Sequence, residues 1–183
     1  MHLKLLRLRK KIESFEKPIV KLLYKRSLYK QNLSNFENNY LSIKFLNKNG
    51  NIEFNNYIDL VITPLCEIGE DSFLKKTKKL NKRIIKVISK RINLGKKVGK
   101  LKLKKDYKLF SELKSSNNIE KIKELITNSE IENKIIERIS TKATLYFKDD
   151  IKKIESVKFI YENIIKKTKE IQIKEIVKNL AKL

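Results

Sequence analysis

The sequence predicts an α+β fold. A β-hairpin, forming a small antiparallel sheet, packs with several amphipathic helices; the C-terminal half is helical, and a basic arm leads the chain. Three observations predict this. Alternating apolar and polar residues flank Asn49-Gly50, and that dipeptide suits a type I′ turn, whose two central residues need positive φ. Apolar residues recur at helical spacing from Phe73 to Ile88 and from Ile122 to Ile139. The first twelve residues, MHLKLLRLRKKI, contain no acid.

In chain order, residues 1–12 are expected to be a retained basic arm or a short helix, although their composition is similar to that of a transit peptide. Pro18 fits the first turn of a helix over about 18–31, because its missing N–H has no helical partner there. Ile19, Leu22, Leu23 and Leu28 are expected to face inward, with Lys21, Lys25, Arg26 and Lys30 outward. The asparagine-rich stretch 31–39 is a loop. Leu41, Ile43 and Phe45 begin the hairpin, and Ile52, Phe54, Ile58, Leu60 and Ile62 share one face of its return strand. Asn56 marks a bulge and Pro64 ends the strand.

Asp71 or Ser72 is the expected N-cap of a helix ending at Gly95, roughly 34 Å long. Beyond it, Leu101 and Leu103 alternate with Lys100, Lys102 and Lys104, as in an edge strand or an extended arm freed by Gly95 and Gly99. A short segment at 106–116 leads to the loop SSNN (115–118), which separates a basic part, 1–114, from a mostly helical part, 119–183, packed as one domain. Ser129 with Glu132 forms a capping box. ATLYF (143–147) reads as a strand. Asp149 and Asp150 cap a helix over 150–168, and a last helix covers 170–182.

Charge is the dominant feature. The chain carries +23, and residues 71–105 alone hold thirteen Lys and two Arg against Asp71. On a helical projection Lys75, Lys79, Lys82, Lys86 and Lys90 lie opposite Phe73, Leu80, Ile84, Val87 and Ile88. Like charges at this spacing cost a few tenths of a kcal/mol per pair, a cost that a phosphate backbone relieves. The candidate nucleic-acid contacts are therefore Arg7, Arg9, Lys10 and Lys11 of the arm and Lys75, Lys79, Lys82, Arg83, Lys86 and Lys90 of the helix. Lys96, Lys97, Lys100, Lys102, Lys104 and Lys105 of the following segment complete the set. Lys outnumbers Arg 38 to 6, as an A/T-rich genome writes, so composition accounts for part of the total charge but not for its clustering.

Catalytic equipment is scarce. His2 is the one histidine, which rules out a His-based triad or metal cluster. Cys66 is the one cysteine, so no internal disulfide forms, and it is expected to be a small buried residue. Glu70 and Asp71 are better explained by a helix N-terminus than by a magnesium site. GKKVG (95–99) matches neither the phosphate loop GxxxxGK[ST] nor the GxxG of a KH domain. No catalytic residue, metal or cofactor is expected, and no apolar run is long enough to span a membrane.

In composition and layout, through Arg7–Lys11 and Lys75–Lys105, the chain resembles ribosomal proteins of organelles with A/T-rich genomes, mitochondrial ones above all. The resemblance implies a structural constituent of a mitochondrial ribosome in the matrix, encoded in the organelle. Its partners would be ribosomal RNA and neighbouring ribosomal proteins, with no small-molecule substrate and no enzymatic activity. Charge alone leaves two alternatives: a non-specific DNA-binding or nucleoid protein, and an accessory subunit of a membrane complex docked on anionic headgroups.

Overall fold

The structure, a computed structural model, describes residues 2–34, 57–113 and 119–181. Most of these residues are helical. In order they form α1 (His2–Glu13), α2 (Glu16–Ser27), a π-helical turn (Ile58–Ile62) running into α3 (Thr63–Leu65), and α4 (Leu74–Lys105). Then follow α5 (Tyr107–Glu112), α6 (Ile119–Ile126), α7 (Ser129–Phe147) and α8 (Ile151–Leu180). No strand occurs among the described residues, so the α+β expectation is corrected to all-α. The first hairpin strand, Asn49-Gly50 and the first part of the return strand, with Ile52, Phe54 and Asn56, lie outside the described residues.

Each misread strand has a local cause. At the end of the supposed return strand, consecutive Val61 and Ile62 are both buried. A strand with one covered face cannot bury two neighbours, but a helix can. In ATLYF, Ala143 and Phe147 are buried while Leu145 is 75% exposed. That is an i, i+4 pair on the inner face of α7, and packing overrides β propensity. The segment 96–105 continues α4 without a break, so neither an edge strand nor an extended arm forms. The two helices expected over 150–168 and 170–182 are one helix, α8, which runs without a break from Ile151 to Leu180.

Capping was partly legible. Asp150 does cap α8, its side chain accepting from Lys153 N–H. The cap of α7 is Asn128, which accepts from Ile131 N–H, rather than Ser129. α4 starts at Leu74, and Asp71 serves a different purpose. Its Oδ2 accepts from Lys30 N–H at 2.9 Å and its Oδ1 from Asn32 Nδ2 at 3.0 Å and Phe73 N–H at 2.8 Å, tying the chain after α2 to the entrance of α4.

The core is built on α4 and α8, which run together for much of their length, with α2, α7 and the π turn packed around them. Ile84, Ile88 and Ile92 of α4 meet Val157, Ile160 and Ile164 of α8, Ile19 and Leu23 of α2, and Ile139 of α7. A smaller cluster of Leu103, Phe110, Ile122, Ile126, Ile176 and Leu180 closes the far end. The inner stripe predicted for α4 is kept by Leu80, Ile84 and Ile88, while Phe73 is half exposed. Leu28, expected inward, is 59% exposed at the C-cap of α2. Arg26, expected outward, is completely buried. It is tolerated because its donors are met: Nε by Asn81 Oδ1 at 2.8 Å, Nη1 by Lys30 O at 2.8 Å and Nη2 by Gln31 O at 2.6 Å. Cys66 is buried beside it, with Sγ 3.3 Å from Nη1.

Gly95 and Gly99 do not end the helix. A Cβ on Gly95 would stand 2.9 Å from Thr168 O, and one on Gly99 would stand 2.8 Å from Gln172 O. The two glycines are one helical turn apart and let the backbones of α4 and α8 touch. Their role is close approach rather than chain freedom, and it sets the geometry of the site.

Candidate functional site

Where α4 and α8 touch, α1 and α7 close over them and leave a cleft of about 340 Å³. Arg9 enters from α1, Arg91 and Lys102 from α4, Asn128 and Glu132 from the start of α7, and Thr168 and Gln172 from α8. The close contact at Gly95 and Gly99 therefore places two polar residues of α8 opposite two cations of α4. Arg91, Gly95, Val98 and Lys102 follow one another at helical spacing along the α4 face that borders the cleft.

Arg91 is the most constrained of these groups. It is 2% exposed, and Nη1 donates to Thr168 Oγ1 at 2.9 Å. Its guanidinium carbon lies 5.3 Å from the centroid of the Tyr161 ring, a favourable cation–π geometry. Nε has no hydrogen-bond partner. Burial pulls the Arg91 pKa below its usual value, yet an arginine stays charged in proteins. A buried cation with an unused donor carries a penalty that an incoming anion removes. Gln172, also buried, has an unpartnered side-chain Oε1 in the same cleft.

Lys102 donates from Nζ to Ile126 O at 2.6 Å. Burial, and secondly the charge of Arg9, push its pKa down to about 8. Among the described residues, no carboxylate forms an ion pair with Arg9, Arg91 or Lys102. The other wall is neutralised. Buried Glu16 pairs with Arg138 Nη2 at 2.7 Å and Lys142 Nζ at 2.6 Å, and Glu132 pairs with Lys169 at 2.9 Å. The cleft thus offers three cations without a paired carboxylate among the described residues, an amide and a hydroxyl around a cavity of small-molecule size. It suits a compact organic dianion.

The residues proposed from sequence divide between different surfaces. Arg9 and Lys102 line this cleft. Lys75, Lys79, Lys82, Arg83, Lys86 and Lys90 are exposed on the outer face of α4, and Lys10 and Lys105 are exposed elsewhere. Lys96 is half-buried. Arg7, Lys11, Lys97, Lys100 and Lys104 border a second groove. Arg91, Asn128, Glu132, Arg138, Thr168 and Gln172 were not identified. One signal for Arg91 was present: it lies at i+7 from Ile84 and i+3 from Ile88, a charge on the apolar stripe of its own helix. No comparable signal marked Thr168 or Gln172.

Comparison with known proteins gives a consistent result. No family model matches the chain. Over 101 residues, 51% of this chain, it is 34% identical to chorismate mutase of Saccharomyces cerevisiae, and the match spans 40% of that protein's length. Among solved structures, the Aro7p chorismate mutase of Candida albicans, in complex with L-Trp, aligns with a TM-score of 0.81 at 22% identity, covering 97% of this chain and 92% of that one. The chloroplast chorismate mutase of Zea mays aligns at 0.80 and 17% identity, covering 97% and 95%. The likeness shows the fold: this chain has the all-helical fold of those enzymes.

The same findings correct the ribosomal interpretation. The similar proteins are mutases and not ribosomal, RNA-binding, nucleoid or membrane-accessory proteins, so the expected ribosomal RNA and ribosomal-protein partners are withdrawn. The expectations of no enzymatic activity and no small-molecule substrate are overturned with them, since the similar proteins are enzymes and one was solved with a small molecule bound. The physical source of the error is that an exposed lysine row on a helix is compatible with many soluble surfaces. Among the described residues, no helix is long and apolar enough to cross a membrane.

Proposed function

We propose that this chain is a chorismate mutase and that the cleft between α1, α4, α7 and α8 is its active site. The observation that carries this is Arg91: a buried guanidinium with an unused Nε donor in a cleft of small-molecule size. The relatives in sequence and structure support it.

Chorismate carries two carboxylates and an ether oxygen. Its isomerisation is intramolecular: one C–O bond breaks as one C–C bond forms, electrons redistribute within the substrate, and no proton need leave. Such a reaction asks the protein to hold a folded conformer and to stabilise charge that grows on the ether oxygen. Arg91 and Arg9 bind the carboxylates. Lys102 and the Gln172 amide face the ether oxygen, one as a cation and one as a neutral group. Thr168 fixes Arg91, and Gly95 and Gly99 hold α8 at the distance this requires.

The test is the rate of chorismate consumption by the purified full chain. Removing one partner of a buried charge pair costs about 2–5 kcal/mol, so Arg91→Ala should lower kcat/KM by about 10²-fold or more. Absence of activity in the correctly folded wild-type chain, or an unchanged rate in Arg91→Ala, overturns the assignment.

A further inference from the structure

A second groove lies between α1 and α4, with a volume of about 470 Å³. One rail is Lys4, Arg7 and Lys11 of α1, and the other is Lys97, Lys100 and Lys104 of α4. Both rails have the spacing i, i+3, i+7, and in both a leucine follows at i+4: Leu8 on α1 and Leu101 on α4. Each rail is thus about 10 Å long at 1.5 Å per residue. The leucines are half-buried and form the floor. No acid lines the groove; one carboxylate reaches a rail, Glu175, 3.3 Å from Lys100 Nζ.

We propose that this groove docks an acidic amphipathic helix of a partner protein. The occupant must be negative along two flanks and apolar between them. It must also extend far enough to meet three cations on each side. A compact anion meets one turn of one rail and leaves the leucine floor in water. A second copy of this chain meeting the groove with the same face would bring six further cations to it. A helix with Glu or Asp on both edges of an apolar seam satisfies both rails and the floor, and a groove between two helices is the usual receptacle for one. Docking also relieves the repulsion within each rail. The site is separate from the proposed active cleft, though α1 and α4 contribute to both.

The probe is a fluorescein-labelled synthetic 18-residue peptide with leucines at helical spacing flanked by glutamates. A scrambled peptide of the same composition is its control. Binding to the full chain is read by fluorescence anisotropy at physiological salt, a readout independent of enzymatic activity. The ordered peptide should bind about tenfold more tightly than the scrambled one. The combined variant Lys4→Gln, Arg7→Gln, Lys11→Gln should weaken it about tenfold. Lys75→Gln, Lys79→Gln, Lys82→Gln removes the same charge from the exposed row of α4 and should change Kd less than about twofold. Leu8→Ser with Leu101→Ser, checked for folding by circular dichroism, should weaken the ordered peptide and leave the scrambled one unaffected. Equal binding of the two peptides, equal losses in the two charge variants, or no response to the leucine changes would each overturn the proposal. Displacement of the peptide by inorganic polyphosphate, with no dependence of polyphosphate binding on Leu8 and Leu101, would overturn it in favour of a general polyanion surface.

Discussion

Gly99→Ala tests how the fold serves the site. The added Cβ would stand 2.8 Å from Gln172 O and 3.2 Å from Gln172 Cα, whereas ordinary contact begins near 3.4 Å. Both atoms are backbone, so no side chain can swing aside, and α8 must move away by about half an ångström. Overpacking of this kind costs about 1–3 kcal/mol, while alanine returns about 1 kcal/mol of helix propensity. The net loss of stability should therefore be small, about 0–2 kcal/mol, measurable by urea unfolding. Catalysis should suffer more. Gln172 is displaced directly, and a misplacement of 1 Å can cost about 10²-fold, so a drop of about tenfold in kcat/KM for chorismate is expected. Gly95→Ala should act similarly, by pressing on Thr168 and through it on Arg91. A stability loss of about 1–3 kcal/mol with unchanged specific activity, or an Ala variant neutral in both assays, would refute the idea that the close contact of α4 and α8 positions these groups.

Other predictions follow from the cleft's chemistry. Because the Lys102 pKa is pushed down to about 8, kcat/KM should fall as pH rises through that value and the cation is lost. In the kcat profile the fall should move to higher pH, since bound dianion favours the charged amine. Lys102's contribution to stability runs the opposite way: between about 8 and its unfolded value of 10.5 the unfolded chain binds more protons, so this contribution rises with pH in that window, as pH-dependent denaturation will show. Gln172→Glu puts a carboxylate where a neutral amide meets a dianion; activity should survive at acidic pH, where the new acid is protonated, and fall towards neutrality, unlike the wild type's profile. Glu16→Gln breaks the buried end of the pairs with Arg138 and Lys142. Those cations are partly exposed, so the loss in urea unfolding should be about 1–3 kcal/mol rather than the full cost of stranding a buried charge.

Much of the helical pattern was legible and much of the topology was not. The α4 stripe, the break before α7 and the cap at Asp150 follow from local rules that tertiary structure did not override. The errors fall where a local signal had two meanings. GKKVG reads as a helix end because glycine favours a C′ position, but a GxxxG pair equally permits two backbones to touch, and only the partner helix decides between them. LKLKK reads as alternation, but on a helix Leu103 faces the small core cluster while Leu101 borders a groove. Thr168 and Gln172 were invisible because their function depends on what α4 places opposite them.

The basic stretch itself shows why charge counting failed. Lys75, Lys79, Lys82 and Lys86 stand in water, whereas Arg91 and Lys102, only a few turns further along the same helix, are drawn into a cleft. An exposed lysine is inexpensive and says little, because solvent screens it. A buried arginine without a paired carboxylate is costly and is kept only where something compensates for it. In a chain with 44 basic residues, the informative ones are therefore those at core spacing. Arg91 meets that condition: it continues the sequence Ile84, Ile88 on the inner face, and its unpaired Nε marks where an anion is expected.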